Sequence, residues 1–94
     1  MSIYLTVTIK GKTEKTEALK SLLLDMVVNS RKETACLQYD LHHEVEENIF
    51  IFHEEWADQA GLDAHNEQSY IKAFVEKSKD LADDIVIYST KKLA

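Results

Sequence analysis

Apolar and polar positions alternate from the start of the chain. Ile3, Leu5, Val7 and Ile9 fall on one parity, and Tyr4, Thr6 and Thr8 on the other. A period of two with β-branched residues predicts a strand over Ile3–Ile9. The second parity carries no charge, so that face is either partly buried or lines a pocket. After Gly11 and Lys12 the period changes. Leu19, Leu22, Leu23 and Met26 recur at helical spacing, broadened by Leu24 and Val28. They predict a helix to about Asn29, with Thr13 as its N-cap, Glu14 and Glu17 near its start and Arg31 and Lys32 after its end.

A second strand over Cys36–His43 sets Leu37, Tyr39, Leu41 and His43 against Cys36, Gln38, Asp40 and His42. An acidic connection, Glu44–Asn48, leads to a third strand over Ile49–Trp56. Its parity places Phe50, Phe52, Glu54 and Trp56 on one face and Ile49, Ile51, His53 and Glu55 on the other. On these assignments His43 and His53 share a face. Asp58 opens a short helix through His65. A further helix follows over Ser69–Leu81, with Ile71, Phe74, Val75, Ser78 and Leu81 inward. Asp83 and Asp84 interrupt the pattern, and Ile85–Ser89 is the last strand.

The order βαββαβ predicts an α+β, ferredoxin-like fold: one four-stranded antiparallel sheet with its helices on one face. The chain has 94 residues and no linker or repeat, so residues 1–94 form a single domain. A chain of this size buries only roughly 60–65% of its extended surface. The sheet face away from the helices still shows rings, branched carbons and hydroxyls rather than a charged coat. A second copy of the chain is the economical cover, and a homodimer is expected.

The net charge is −6 and Arg31 is the only arginine. Phosphate backbones and anionic membrane surfaces want a basic face, so neither nucleic acid nor membrane is an expected partner. Cys36 is the single cysteine, which excludes an intrachain disulfide and a cysteine-only metal site. With no long apolar run, a cytoplasmic location is the simplest expectation. His42, His43 and His53 lack the spacing of known zinc motifs, and no metal is expected.

The run Glu54-Glu55-Trp56-Ala57-Asp58-Gln59-Ala60-Gly61-Leu62-Asp63-Ala64-His65 resembles the E-x-W-x-D-x-x-A-L-x-x-H signature of the antibiotic biosynthesis monooxygenase domain family, particularly its quinol monooxygenase-like branch. One residue separates Ala60 from Leu62, where the signature has an adjacent Ala-Leu pair. Glu33-Thr34-Ala35-Cys36 is similar to the family's E-P-G-C turn, with the proline and glycine replaced. The resemblance spans Ile3 to about Tyr88. It implies a dimeric α+β barrel and a cofactor-independent oxidation of a small aromatic, quinol-like or polyphenolic substrate by molecular oxygen. In that scheme the substrate supplies the electrons, and the protein supplies a dry pocket and a proton acceptor.

Candidate site residues follow from the resemblance together with their chemistry. His65 ends the signature, and a neutral imidazole accepts a phenolic proton near pH 7. The plainer reading is a surface or capping histidine. Glu54 is the second catalytic candidate. A buried carboxylate needs a partner, and His65 is one choice, with backbone N–H groups, Arg31 or a lysine as the alternatives. Trp56 and Phe52 offer aromatic walls to a substrate, or simple core packing. Tyr70 is a hydroxyl donor or an aromatic lid, and Thr6 a polar group on the first strand. Cys36 reads as a small structural residue. Two further functions remain open: an isomerase or other acid–base enzyme on a small oxygenated metabolite, and a non-catalytic dimeric ligand-binding protein. Haem degradation is disfavoured, because Tyr4, Thr6 and Thr8 stand where such relatives place an asparagine.

Overall fold

The computed structural model describes residues 1–94. Its elements are β1 (Ile3–Gly11), a 3-10 turn (Thr13–Lys15), α1 (Thr16–Arg31), β2 (Cys36–Glu44), β3 (Ile49–Trp56), α2 (Gln59–Asn66), α3 (Ser69–Leu81) and β4 (Ala82–Thr90). The strands form one sheet in the order β2-β3-β1-β4, and every neighbouring pair is antiparallel. This is the ferredoxin-like α+β arrangement that the element order predicts.

Register decides which parity meets the helices. Leu5, Val7 and Ile9 lie opposite Glu54, Phe52 and Phe50. On the other side of β3, Tyr39 and Leu41 lie opposite Glu54 and Phe52. These side chains pack with Leu19, Leu23, Met26 and Val27 of α1, Leu62 of α2, and Ile71 and Phe74 of α3 in one core. Tyr4, Thr6, Thr8, Ile51 and His53 take the opposite face, which no helix covers.

Several local expectations are corrected. Thr13 does not cap α1; it opens a 3-10 turn, and no side chain caps the helix start. Leu24 and Val28 are exposed rather than inward, and Val75 is half exposed. Asp83 and Asp84 do not interrupt β4, which begins at Ala82. They are exposed on a sheet-edge strand, where charge is tolerated, and Asp84 lies opposite Lys10. A β-bulge at Leu37 pairs Cys36 with Trp56 and Gln38 with Glu55. Cys36 therefore shares the helix side with Tyr39, and Leu37 is exposed. His43 and His53 do not share a face. His43 stacks on Phe50 with ring centroids 4.0 Å apart, while His53 meets His42 on the open face at 5.4 Å.

Two connections matter for the site. Asn48 closes the β2–β3 hairpin at φ 57°, a conformation asparagine tolerates. At the other end of the sheet, Arg31 donates from Nε to the Tyr39 carbonyl at 3.1 Å and from Nη2 to Asp40 at 3.0 Å. This fastens the end of α1 to β2 and holds the turn that follows over that end of the sheet.

Candidate active site

Asp58 sets the phase of α2. Its carboxylate accepts from the Gly61 N–H at 2.7 Å, an N-cap that satisfies one free donor of the first turn. The helical period then turns Leu62 and His65 inward together. At Gly61 a Cβ would stand only 2.3 Å from the Ala35 Cβ. The bare glycine lets α2 lie directly on the turn after α1. That turn is closed by the Glu33 N–H donating to the Ser30 carbonyl and the Cys36 N–H donating to the Glu33 carbonyl, both at 3.0 Å. It is tied to the end of β3 by the Ala57 N–H, which donates to the Ala35 carbonyl at 2.9 Å.

These constraints bring together groups far apart in sequence. His65 Nδ1 lies 2.7 Å from Glu33 Oε2. The Tyr70 hydroxyl, in the first turn of α3, donates to the same oxygen and lies 3.3 Å from Nδ1. Ser30 Oγ is 3.1 Å from the Tyr70 oxygen. A coherent assignment follows. Ser30 donates to Tyr70, and both Tyr70 and the protonated Nδ1 donate to Glu33. His65 Nε2 then carries the lone pair and has no protein partner. Behind the ring, Trp56 is wholly buried, with its ring centroid 4.3 Å from that of the imidazole.

Burial sets the electrostatics. His65 is 4% exposed, and loss of hydration pulls its pKa below the usual imidazole value, against the opposing pull of Glu33. The ring is neutral at pH 7. Glu54 is 6% exposed, and desolvation pushes its carboxyl up to about 7. Only one hydrogen bond counters this, from the Trp56 indole N–H at 2.9 Å. Burial also raises the hydroxyls of Tyr39 and Tyr70, so both are donors rather than anions. Cys36 is likewise pushed up by burial and by Glu33, which keeps it a thiol.

Between the sheet and α2–α3 lies a cavity of about 150 Å³. Leu5, Val7, Ile9, Phe52, Ile85 and Ile87 line it from the sheet, and Leu62, Ile71, Phe74 and Val75 from the helices. Glu54, His65 and Asn66 are its polar members. Of the residues predicted from sequence, His65, Glu54 and Phe52 reach this cavity. Trp56 and Tyr70 do not line it but hold His65 from behind. Thr6 stands apart on the open sheet face, opposite His53 and Tyr88. The carboxylate partner of His65 is Glu33 and not Glu54, whose own partner is Trp56. Glu33 and Ser30 were not singled out as site residues. The only sequence signal for Glu33 was its place in the E-P-G-C-like turn.

No helix is long and apolar enough to cross a membrane. The family model for antibiotic biosynthesis monooxygenase matches residues 2–77. The chain is 42% identical over 80 residues, 84% of each chain, to a Bacillus subtilis protein named "Putative monooxygenase YcnE". It superposes on the crystal structure of PA3566 from Pseudomonas aeruginosa with a TM-score of 0.92 and 32% identity, covering 99% of this chain and 95% of that one. Rv0793 from Mycobacterium tuberculosis shares the fold at a TM-score of 0.93 and 18% identity, covering 100% and 97%. The chain belongs to the antibiotic biosynthesis monooxygenase family.

Proposed function

We propose that this protein is a cofactor-independent monooxygenase acting on a small quinol-like or polyphenolic substrate. One observation carries the reading: a neutral, nearly buried imidazole is fixed through Nδ1 by Glu33, its Nε2 has no protein partner, and the residue lines an apolar cavity. Nε2 accepts a proton from a substrate hydroxyl. The resulting anion gives an electron to molecular oxygen, and the two radicals join at a ring carbon. Glu54, which lines the same cavity, protonates the peroxide and the O–O bond breaks. One oxygen atom stays in the hydroxyquinone product. The two hydrogens lost by the quinol leave with the other oxygen as water, and the quinol supplies all the electrons. The apolar walls exclude water from the anion.

Oxygen uptake with product mass tests this on a panel of quinols and phenols. Replacing His65 by alanine lowers turnover by about 10²–10⁴-fold if Nε2 is the base. Near-normal turnover by that variant excludes histidine catalysis. Glu54 also favours a second reading, an isomerase or other acid–base enzyme. A carboxyl pushed up to about 7 and a neutral imidazole in one cavity are able to give and take protons without oxygen. Turnover under strict anaerobiosis selects that reading.

The assembly proposed with this function is a homodimer through the open sheet face. Ile51, Val86 and Tyr88 stand there among Tyr4, Thr6 and Thr8, and burying such side chains between two copies removes them from water. Sedimentation equilibrium gives the mass directly. A folded, active species that remains monomeric at tens of micromolar refutes the dimer.

A further inference from the structure

The cavity has a polar floor and an apolar mouth. Glu54 and His65, at its inner end, are nearly buried. At the rim, Val75 is 52% exposed and Ile87 is 65% exposed. Single exposed apolar side chains are ordinary, but these two stand together at the mouth of one cavity, and a pocket for a small hydrophilic metabolite has no use for such a rim. The position of Ile87 is not an accident of strand fraying. It lies opposite Val7 on the helix-facing side of the sheet and lines the same cavity as Val75 of α3. Val75 is on the inward stripe of α3 by spacing, and yet it is open. Half-buried Leu5 and Ile85 continue the apolar wall from this rim into the cavity.

Size adds a second constraint. An apolar cavity of about 150 Å³ is what a single benzene ring fills. A fused second or third ring exceeds that volume.

We infer that the substrate is a single-ring phenol or quinol bearing an alkyl chain, with its ring in the cavity, a hydroxyl at His65 and Glu54, and the chain leaving across Val75 and Ile87. This deepens the monooxygenase reading of the same site and rests on it. The ligand is an amphiphile that enters head first. Its chain finds the apolar rim, and its ring finds the one place where a hydroxyl meets a base. The chain then gives affinity without taking part in the reaction.

The test uses the whole chain without oxygen, so that binding is read without turnover, and takes 4-alkylphenols from methyl to hexyl, with 2-naphthol and 9-phenanthrol as wider rings. Calorimetry and the fluorescence of Trp56, the only tryptophan, both report binding, since the indole packs on His65. The dissociation constant falls about two- to fourfold per methylene while the chain crosses the rim, as partial to full burial of each CH₂ implies. The wider rings bind more weakly than 4-butylphenol. Val75→Asp and Ile87→Asp, at open positions where the fold tolerates charge, each reduce the gain to under about 1.5-fold per methylene. A flat chain-length series overturns this inference alone, as does a slope unchanged in both variants or tighter binding of 9-phenanthrol than of any alkylphenol. Failure of every phenol to bind at millimolar concentration overturns both the inference and the quinol reading beneath it.

Discussion

Glu33 is the sharpest place to perturb this protein, because two donors converge on one of its oxygens. In Glu33→Ala the His65 Nδ1–H loses its acceptor in a site that is 4% exposed. An unsatisfied buried donor costs about 1–3 kcal/mol. The Tyr70 hydroxyl also loses its acceptor but keeps Ser30 at 3.1 Å, so its share is near the lower end of that range. The sum is about 2–4 kcal/mol. A domain of this size has about 5–15 kcal/mol in all and loses about 4–8 °C of Tm per kcal/mol, so thermal unfolding reads the change easily. Glu33→Gln separates structure from chemistry. The amide oxygen still accepts, so most of the stability returns. The amide NH₂, however, also stabilises the wrong imidazole tautomer, with the proton on Nε2. Ring ¹⁵N shifts report that tautomer directly. Glu33 also pulls the His65 pKa upward against burial. Removing its charge therefore moves the acid limb of the pH–rate profile to lower pH, which a merely structural residue would not do. Loss of under about 0.5 kcal/mol in Glu33→Ala, with the tautomer unchanged and the pH profile unmoved, refutes the positioning role.

Glu54 titrates in the folded state near pH 7, above its ordinary 4.5. The native state then binds more protons than the unfolded state between those values, and Glu54's contribution to stability falls by roughly 3 kcal/mol as pH rises through them. His65, held neutral by burial, acts in the opposite direction below its ordinary 6.5. Glu54→Gln isolates the first effect: urea unfolding from pH 4 to 8 shows the variant gaining on the parent as pH rises, and parallel curves refute the raised pKa. Gly61→Ala forces a Cβ to 2.3 Å from that of Ala35 and costs about 1–3 kcal/mol by overpacking. Ala35→Gly in the same chain restores most of this, and additive effects in the double-mutant cycle refute the contact.

The fold was legible because local signals agreed. The strand and helix periods, the Asp58 cap and the buried parity of Phe50, Phe52, Glu54 and Trp56 all point to one sheet with helices on one side. Three features were not legible, each for a physical reason. The bulge at Leu37 adds one residue to β2 and reverses the parity of everything before it, and no composition cue marks it. Thr6 lies on a face fixed by register, since Val7 and not Thr6 lies opposite Phe52. Strand parity alone leaves open which side of β1 joins which side of β3. The Glu33–His65 bond joins residues 32 apart in sequence. Only the packing of α2 against the turn after α1 creates it, and the signature by itself offers the nearer carboxylate, Glu54, instead.

That packing also bears on two of the places where the chain departs from the family motifs it resembles. Counted without gaps from Glu54 to His65, Gly61 stands where the signature has alanine. In the turn before β2, Ala35 stands where the motif has glycine. The two departures face each other, and the methyl of Ala35 fills the space that a Gly61 side chain would take. The turn itself has lost nothing by the exchange. Its backbone has no positive φ, since Asn48 is the only residue in that region, so the turn does not need a glycine. The methyl group at this contact stands on the turn and not on α2, and the two segments approach closely. The approach matters because His65 rides on one segment and Glu33 on the other. In the folded protein the bare Gly61 and the methyl of Ala35 together set the close approach that keeps the imidazole on its carboxylate.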